Sequence, residues 1–273
     1  MAEINLRKPA VAGQFYPLSA KELSTQINSL IDRHARKYNT VACVLPHAGY
    51  IYSGEVAGKT LSCVDIREKI ILLGPNHTGY GVPFSIMTKG IWQTPLGEIK
   101  IDGGLAEKIL EGCRYLKDDY QAHTYEHSLE VELPLLQSLK GSFEIVPIIF
   151  ASDDLFILKE IGKSIAKTIN SLKIKDSVTI IASSDMTHYE SQDEAQRKDR
   201  QAIKAIVELN ENGLMQKIKE LNISMCGYAP VIAMLAAAKM LGAKEARLIK
   251  YQTSGDVTGD KNSVVGYAGI TVY

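Results

Sequence analysis

Val41-Ala42-Cys43-Val44-Leu45-Pro46-His47-Ala48-Gly49-Tyr50 is an apolar run that stops in a Pro/Gly-punctuated turn holding a histidine. A short apolar run of this kind, bounded by turn residues, reads as a buried strand. The arrangement returns twice. Residues 69–73 run into Gly74-Pro75-Asn76-His77, and residues 177–182 run into Ser183-Ser184-Asp185-Met186-Thr187-His188. Further strand-like runs occupy 144–149, 247–251 and 264–272. Helical spacing covers 20–38, 128–139, 154–171, 193–209 and 230–241, the first opened by Ser19 with Glu22 three residues on, as in a capping box. Strands alternating with helices predict an α/β fold. Its centre is a mixed or mainly parallel sheet with helices on both faces.

No repeat, low-complexity segment or Pro/Gly/Ser linker divides the 273 residues, so a single domain over 1–273 is expected. Lys+Arg and Asp+Glu both number 31, and no run of five or six like charges occurs. That balance gives no bulk attraction to nucleic acid or an anionic membrane, and neither is expected as a partner. No stretch of about 18 apolar residues suggests a spanning helix, and the stretch Met1 to Pro17 lacks the apolar core of a signal peptide. Cys43, Cys63, Cys113 and Cys226 are irregularly spaced without CxxC, which fits reduced thiols in a cytoplasmic chain.

Three strands thus each deliver a histidine just past a carboxyl end, where open α/β sheets bind ligands. His47 and His77 are candidate metal ligands, since neutral imidazole is the commonest one. Each could instead merely bond a loop carbonyl. Cys226 lies in Ser224-Met225-Cys226-Gly227-Tyr228-Ala229-Pro230, a turn ahead of a helix expected from Pro230. A thiol at a helix N-terminus has a lowered pKa and suits a metal ligand or a nucleophile, the alternative being an inert buried thiol. Cys43, Cys63 and Cys113 lie in apolar patterns and fit that inert role. His123 and His127 form an HxxxH pair that would share a helix face unless a loop boundary falls between them. His127 is expected to point into the cleft as an acid/base or supporting residue, and His123 to be structural. Asp185 either orients a neighbouring ligand or caps its own turn, and His188 is three residues on. His34 is expected on an exposed helix face. Thr253-Ser254-Gly255-Asp256 either lines the cleft or makes an ordinary turn. Neither GxGxxG nor a Walker sequence is present, so no dinucleotide or NTP is indicated.

Taken together, Ala10 to Pro17, Pro46 to Tyr50, Tyr52-Ser53-Gly54, Gly74 to His77, Glu126 to Val131, Ser183-Ser184-Asp185, His188-Tyr189, Met225-Cys226-Gly227, Tyr251, Thr253 to Asp256 and Ser263 to Ala268 resemble the Memo family, in family order and over nearly the whole chain. The resemblance implies a fold shared with class III extradiol ring-cleaving dioxygenases, which use non-haem iron(II). It also implies a pocket of two histidines and a cysteine, here His47, His77 and Cys226, with Asp185, His188 and His127 around it. Leu45 stands where an alanine is more usual in the family, on the strand and away from the ligands. A thiolate replaces the carboxylate usual in such iron oxygenases, which makes copper or zinc alternatives to Fe(2+). Family associations imply a radical-SAM protein partner in microbes, and a small-molecule or peptide ligand in the cleft.

Three functions follow. The first is a metal-dependent, dioxygenase-like oxidoreductase with His127 or His188 as acid/base and Asp185 orienting a neighbour. The second is a binding or scaffold protein with a vestigial metal cleft. The third is a hydrolase using Cys226 as nucleophile with His47 or His188.

Overall fold

A computed structural model describes residues 5–273; the first four residues of the N-terminal stretch lie outside the described residues. The elements run β1 (Leu6–Arg7), α1 (Ala20–Leu30), β2 (Ala42–Leu45), α2 (Tyr50–Ser62), β3 (Lys69–Pro75), β4 (Phe84–Ile86), β5 (Ile91–Thr94), β6 (Gly97–Ile101), α3 (Gly103–Glu111), β7 (Lys117–Asp118) and α4 (Gln121–Thr124). They continue with α5 (Leu133–Lys140), β8 (Glu144–Phe150), α6 (Leu155–Leu172), β9 (Val178–Ser183), β10 (His188–Glu190), α7 (Gln192–Val207), α8 (Glu211–Glu220), α9 (Tyr228–Met240), β11 (Ala246–Thr253), α10 (Ser254–Thr258) and β12 (Val264–Val272).

The main path of the sheet is β1-β5-β6-β8-β3-β9-β2-β12-β10, with β11 on β12 and β4 on β8. Strands β8, β3, β9 and β2 are parallel neighbours, while β12 returns antiparallel to β2. β2 and β9 are buried at every residue, as strands covered on both faces must be. Helix α9 lies on β9, β3 and β2, backed by α6; α2 packs on β11, β12 and β2, backed by α1 and α5. One contiguous apolar core runs through these layers. No described helix is long and apolar enough to cross a membrane.

All six expected strands are present, within a few residues of their expected ends. Two helices differ. The helix expected over 20–38 stops at Leu30, where Ile31 turns extended and the Asp32 amide is drawn to Ser62 Oγ, 2.8 Å away. His34 is therefore exposed but lies beyond the helix, not on its face. The segment 128–139 opens instead with a tight 3-10 turn, Glu130–Glu132, before α5 begins with Pro134 in its first turn.

Candidate metal centre

β3, β9 and β2 lie side by side and parallel, so their carboxyl ends open on one edge of the sheet. Two residues past β2 comes His47, two past β3 comes His77, and two past β9 comes Asp185. Cys226 arrives from the turn before α9. Its neighbour Gly227 passes so near β9 that a Cβ there would collide with the Ser183 carbonyl oxygen. The Gly227 amide is also tied to Ser184 Oγ at 2.9 Å. A glycine at this point lets the cysteine reach the strand ends.

His47, His77 and Cys226 offer ligand atoms that all lie within 4.8 Å of one another. Cys226 Sγ is 3.3 Å from His47 Nε2, a spacing that two ligands of one tetrahedral ion adopt when each sits 2.0–2.3 Å from it. The donor set therefore fits a single transition-metal ion, with soft sulfur and two imidazoles suiting iron, copper or zinc.

Supporting groups fix each donor. The wholly buried Glu126 accepts from His77 twice, from the amide at 2.5 Å and the ring Nδ1 at 2.9 Å, and from the Ser128 amide at 2.8 Å. Burial pushes the Glu126 carboxyl up, but the hydrogen bonds and charge of His77 outweigh it and hold the group at about 2. A carboxylate on Nδ1 leaves the other ring nitrogen of His77 free as a donor to metal. Glu126, His77 and His127 also cluster within 4.8 Å. The carboxylate is already committed to three N–H groups, so it serves as an orienting group for His77. Asp185 accepts from the His47 amide at 2.9 Å, a bond to the loop that carries His47. Burial pushes Asp185 up to about 6, opposed by His188 and by the backbone amides of His47 and Ala48.

A cleft of about 420 Å³ opens above His47 and His77, with Phe15, Tyr52, Tyr189 and Tyr267 on its walls and His127, Asp185 and His188 facing it. His127 stacks on His77 with centroids 4.6 Å apart and meets the edge of Phe15 at 4.9 Å. Burial lowers its pKa, opposed by the charge of Glu126. His188 gives its Nδ1 proton to the Ser224 carbonyl at 2.9 Å. A larger groove, about 620 Å³, lies at the opposite ends of β3 and β8 between Lys69, Lys100, Lys140 and Glu144, and holds neither histidine nor cysteine. Donor chemistry, not volume, selects the smaller cleft.

A family model described as Memo-like protein matches residues 7–271. The chain belongs to the Memo-like family. It is similar to MEMO1 family proteins of Methanopyrus kandleri (44% identity, covering 97% of this chain and 98% of that one) and Methanocaldococcus jannaschii (43%, 98% and 99%). The Aquifex aeolicus relative is 41% identical over 98% of this chain and 99% of its own. Among solved structures, an uncharacterized protein from Escherichia coli K12 shares the fold with a TM-score of 0.56 over 85% of this chain and 99% of that one, at 11% identity.

In this Memo-like chain the HxxxH pair does not share one helix face. α4 ends at Thr124, so His123 and His127 lie on different segments. His123 is wholly buried beside Trp92, far from solvent, while His127 enters the cleft. Thr253 and Asp256 make a capping box at the start of α10 and do not line the cleft. Cys43 and Cys113 are buried as expected, and Cys63 is partly exposed. The expected lowering of Cys226 by its helix is reversed: burial and the nearby Asp185 drive the thiol up. Burial also lowers His47 well below its usual value. An ion pair between this thiol and this imidazole is therefore disfavoured in the metal-free chain, which weakens the hydrolase reading. Sequence reasoning missed the carboxylate role of Glu126 and the Ser183 hydroxyl, 2.8 Å from His47 Nδ1. The one signal for Glu126 was its place beside His127.

Proposed function

We propose that this Memo-like protein holds one metal ion, iron(II) foremost and copper or zinc as alternatives, on His47, His77 and Cys226, and acts as an oxidoreductase on a small molecule. The mutual approach of these three donor atoms within 4.8 Å carries the reading. A bound redox metal would supply Lewis-acid polarisation and electron transfer to a ligand in the cleft. The chain's own residues do the rest. Phe15, Tyr52 and Tyr267 flank the ligand and exclude water. His127, beside the donors on the cleft wall, is placed to take a proton, and His188 presents the ring nitrogen left free by its bond to Ser224. Asp185 holds the His47 loop.

The test begins with protein purified under nitrogen without a histidine tag. Bound metals are measured by mass spectrometry in wild type and His47→Ala. About one iron per chain, lost in the variant, supports the reading and leads to oxygen-uptake assays with aromatic diols. Failure to bind iron, copper or zinc even after anaerobic loading overturns it.

A second reading is a non-catalytic cleft that binds a peptide or metabolite. Tyr189, 79% exposed at the rim, favours it by offering an aromatic contact outside the metal pocket. Stoichiometric metal without turnover of any diol would select this reading.

A further inference from the structure

Glu130 and Glu132 stand two residues apart in one 3-10 turn, and both are wholly buried. Glu130 receives Arg7 Nη1 at 2.6 Å, the Ala10 and Val11 amides and the Tyr16 hydroxyl. Glu132 has no such company. Its Oε1 lies 2.9 Å from Ser183 Oγ, and its Oε2 has no hydrogen-bond partner among the described residues. No cation is paired with it among the described residues, and the negative charge of Asp185 disfavours a second carboxylate there.

The Ser183 hydroxyl decides the protonation of this corner. It has three close partners: the Ser128 carbonyl at 2.7 Å, Glu132 Oε1 at 2.9 Å and His47 Nδ1 at 2.8 Å. A hydroxyl has one proton to give and two lone pairs to receive. The carbonyl can only accept, so the Ser183 proton goes to Ser128. The other two contacts are hydrogen bonds only if both partners donate. His47 must then carry its proton on Nδ1, and Glu132 must carry one on Oε1. The competing arrangement gives the Ser183 proton to an ionised Glu132. It sets two oxygen lone pairs against each other at the Ser128 contact and leaves a charged oxygen buried without a partner, which is costly.

We propose that Glu132 is a positioning residue, a buried neutral carboxylic acid that donates to Ser183 and thereby holds His47 as the Nδ1–H tautomer, leaving Nε2 free toward Cys226 and a metal. Burial drives the Glu132 carboxyl well above the usual range, with Asp185 adding to the shift and the Ser183 contact opposing it, in keeping with this assignment. Only the last step, the use of Nε2 by a metal, rests on the metal-binding reading. The protonation of Glu132 and the tautomer of His47 belong to the metal-free chain.

Two measurements on metal-free protein near neutral pH decide the assignment. Long-range nitrogen–proton correlation spectra of nitrogen-15 wild type should show His47 protonated at Nδ1 and bare at Nε2. The opposite tautomer overturns the proposal, and this measurement needs no variant. Infrared difference spectra of wild type against Glu132→Gln should show one protonated-carboxyl C=O band lost with the variant. Loss of carboxylate bands instead overturns it. Zinc, as a redox-silent probe, then tests the consequence. Ser183→Ala removes the acceptor for His47 Nδ1–H and should weaken zinc binding about 10- to 100-fold. Unchanged affinity would overturn the positioning role. Should wild type bind no zinc at all, the metal reading falls, while the tautomer and the carboxyl band still judge Glu132.

Discussion

The two ends of the central strands make opposite use of charge. At the carboxyl ends, His47, His77, Cys226 and Asp185 are drawn together and locked by buried partners. At the amino ends of β3 and β8, Lys69 pairs with Asp102 and reaches toward Glu144 on a wet, partly exposed surface. The second groove is the roomier, about 620 Å³ against 420 Å³. What it lacks is preorganisation. Its charged groups are partly exposed and screened, whereas His47 and His77 of the smaller cleft are each hydrogen-bonded to buried side chains.

Substitutions sort the two ends by size of effect. The largest is expected from His77→Ala or Cys226→Ala, each reducing bound metal from about one per chain to a trace, read by mass spectrometry after anaerobic loading. If Lys69→Met did the same, the contrast between the ends would collapse. Next comes Arg7→Met. The guanidinium holds Glu130 at 2.6 Å as well as the carbonyls of His123 and Glu126, all in the interior. Leaving Glu130 buried without it should cost about 3–5 kcal/mol, seen as a lower denaturant midpoint at unchanged slope. A loss under about 1 kcal/mol would show that the clasp behaves like a surface pair.

Glu126→Gln is expected to weaken metal binding about 10- to 100-fold by loosening His77, measured by competition with a chelator. The same residue gives a pH signature in the metal-free protein. Its folded value of about 2 lies below the ordinary 4.5. The stability it lends is therefore complete above about pH 4.5 and is lost as the pH falls toward 2. Glu126→Gln should flatten that portion of the acid-unfolding curve, and a parallel curve would contradict the assignment. The smallest effect belongs to Lys69→Met. With its side chain 30% exposed, the ion pair should contribute less than about 1 kcal/mol, with no change in bound metal.

Much of this was legible in the sequence because strands buried on both faces write themselves as unbroken apolar runs. Residues 41–45, 69–73 and 177–182 announced β2, β3 and β9 and the histidine-bearing turns after β2 and β3. Helix α2 was harder to see. It carries the glycines Gly54 and Gly58, where Leu30 packs close, and those read as turn residues in a linear scan. The short strands β4 to β7 follow no long pattern because each pairs over only two to five residues. The end of the first helix at Leu30 depended on Ser62, which lies 30 residues beyond Asp32.

The sequence by itself determined the family, the six long strands and the candidate trio His47, His77 and Cys226, since those depend on local runs and on motifs a few residues long. Only the tertiary structure decided how the donors are held. Glu126 acts on His77 across 49 residues and Ser183 on His47 across 136, while Cys226 meets His47 across 179. Hydrogen-bond partners are chosen by proximity in space, and a buried group takes its protonation from them. His123 and His127, four residues apart, therefore ended in a sealed core and an open cleft.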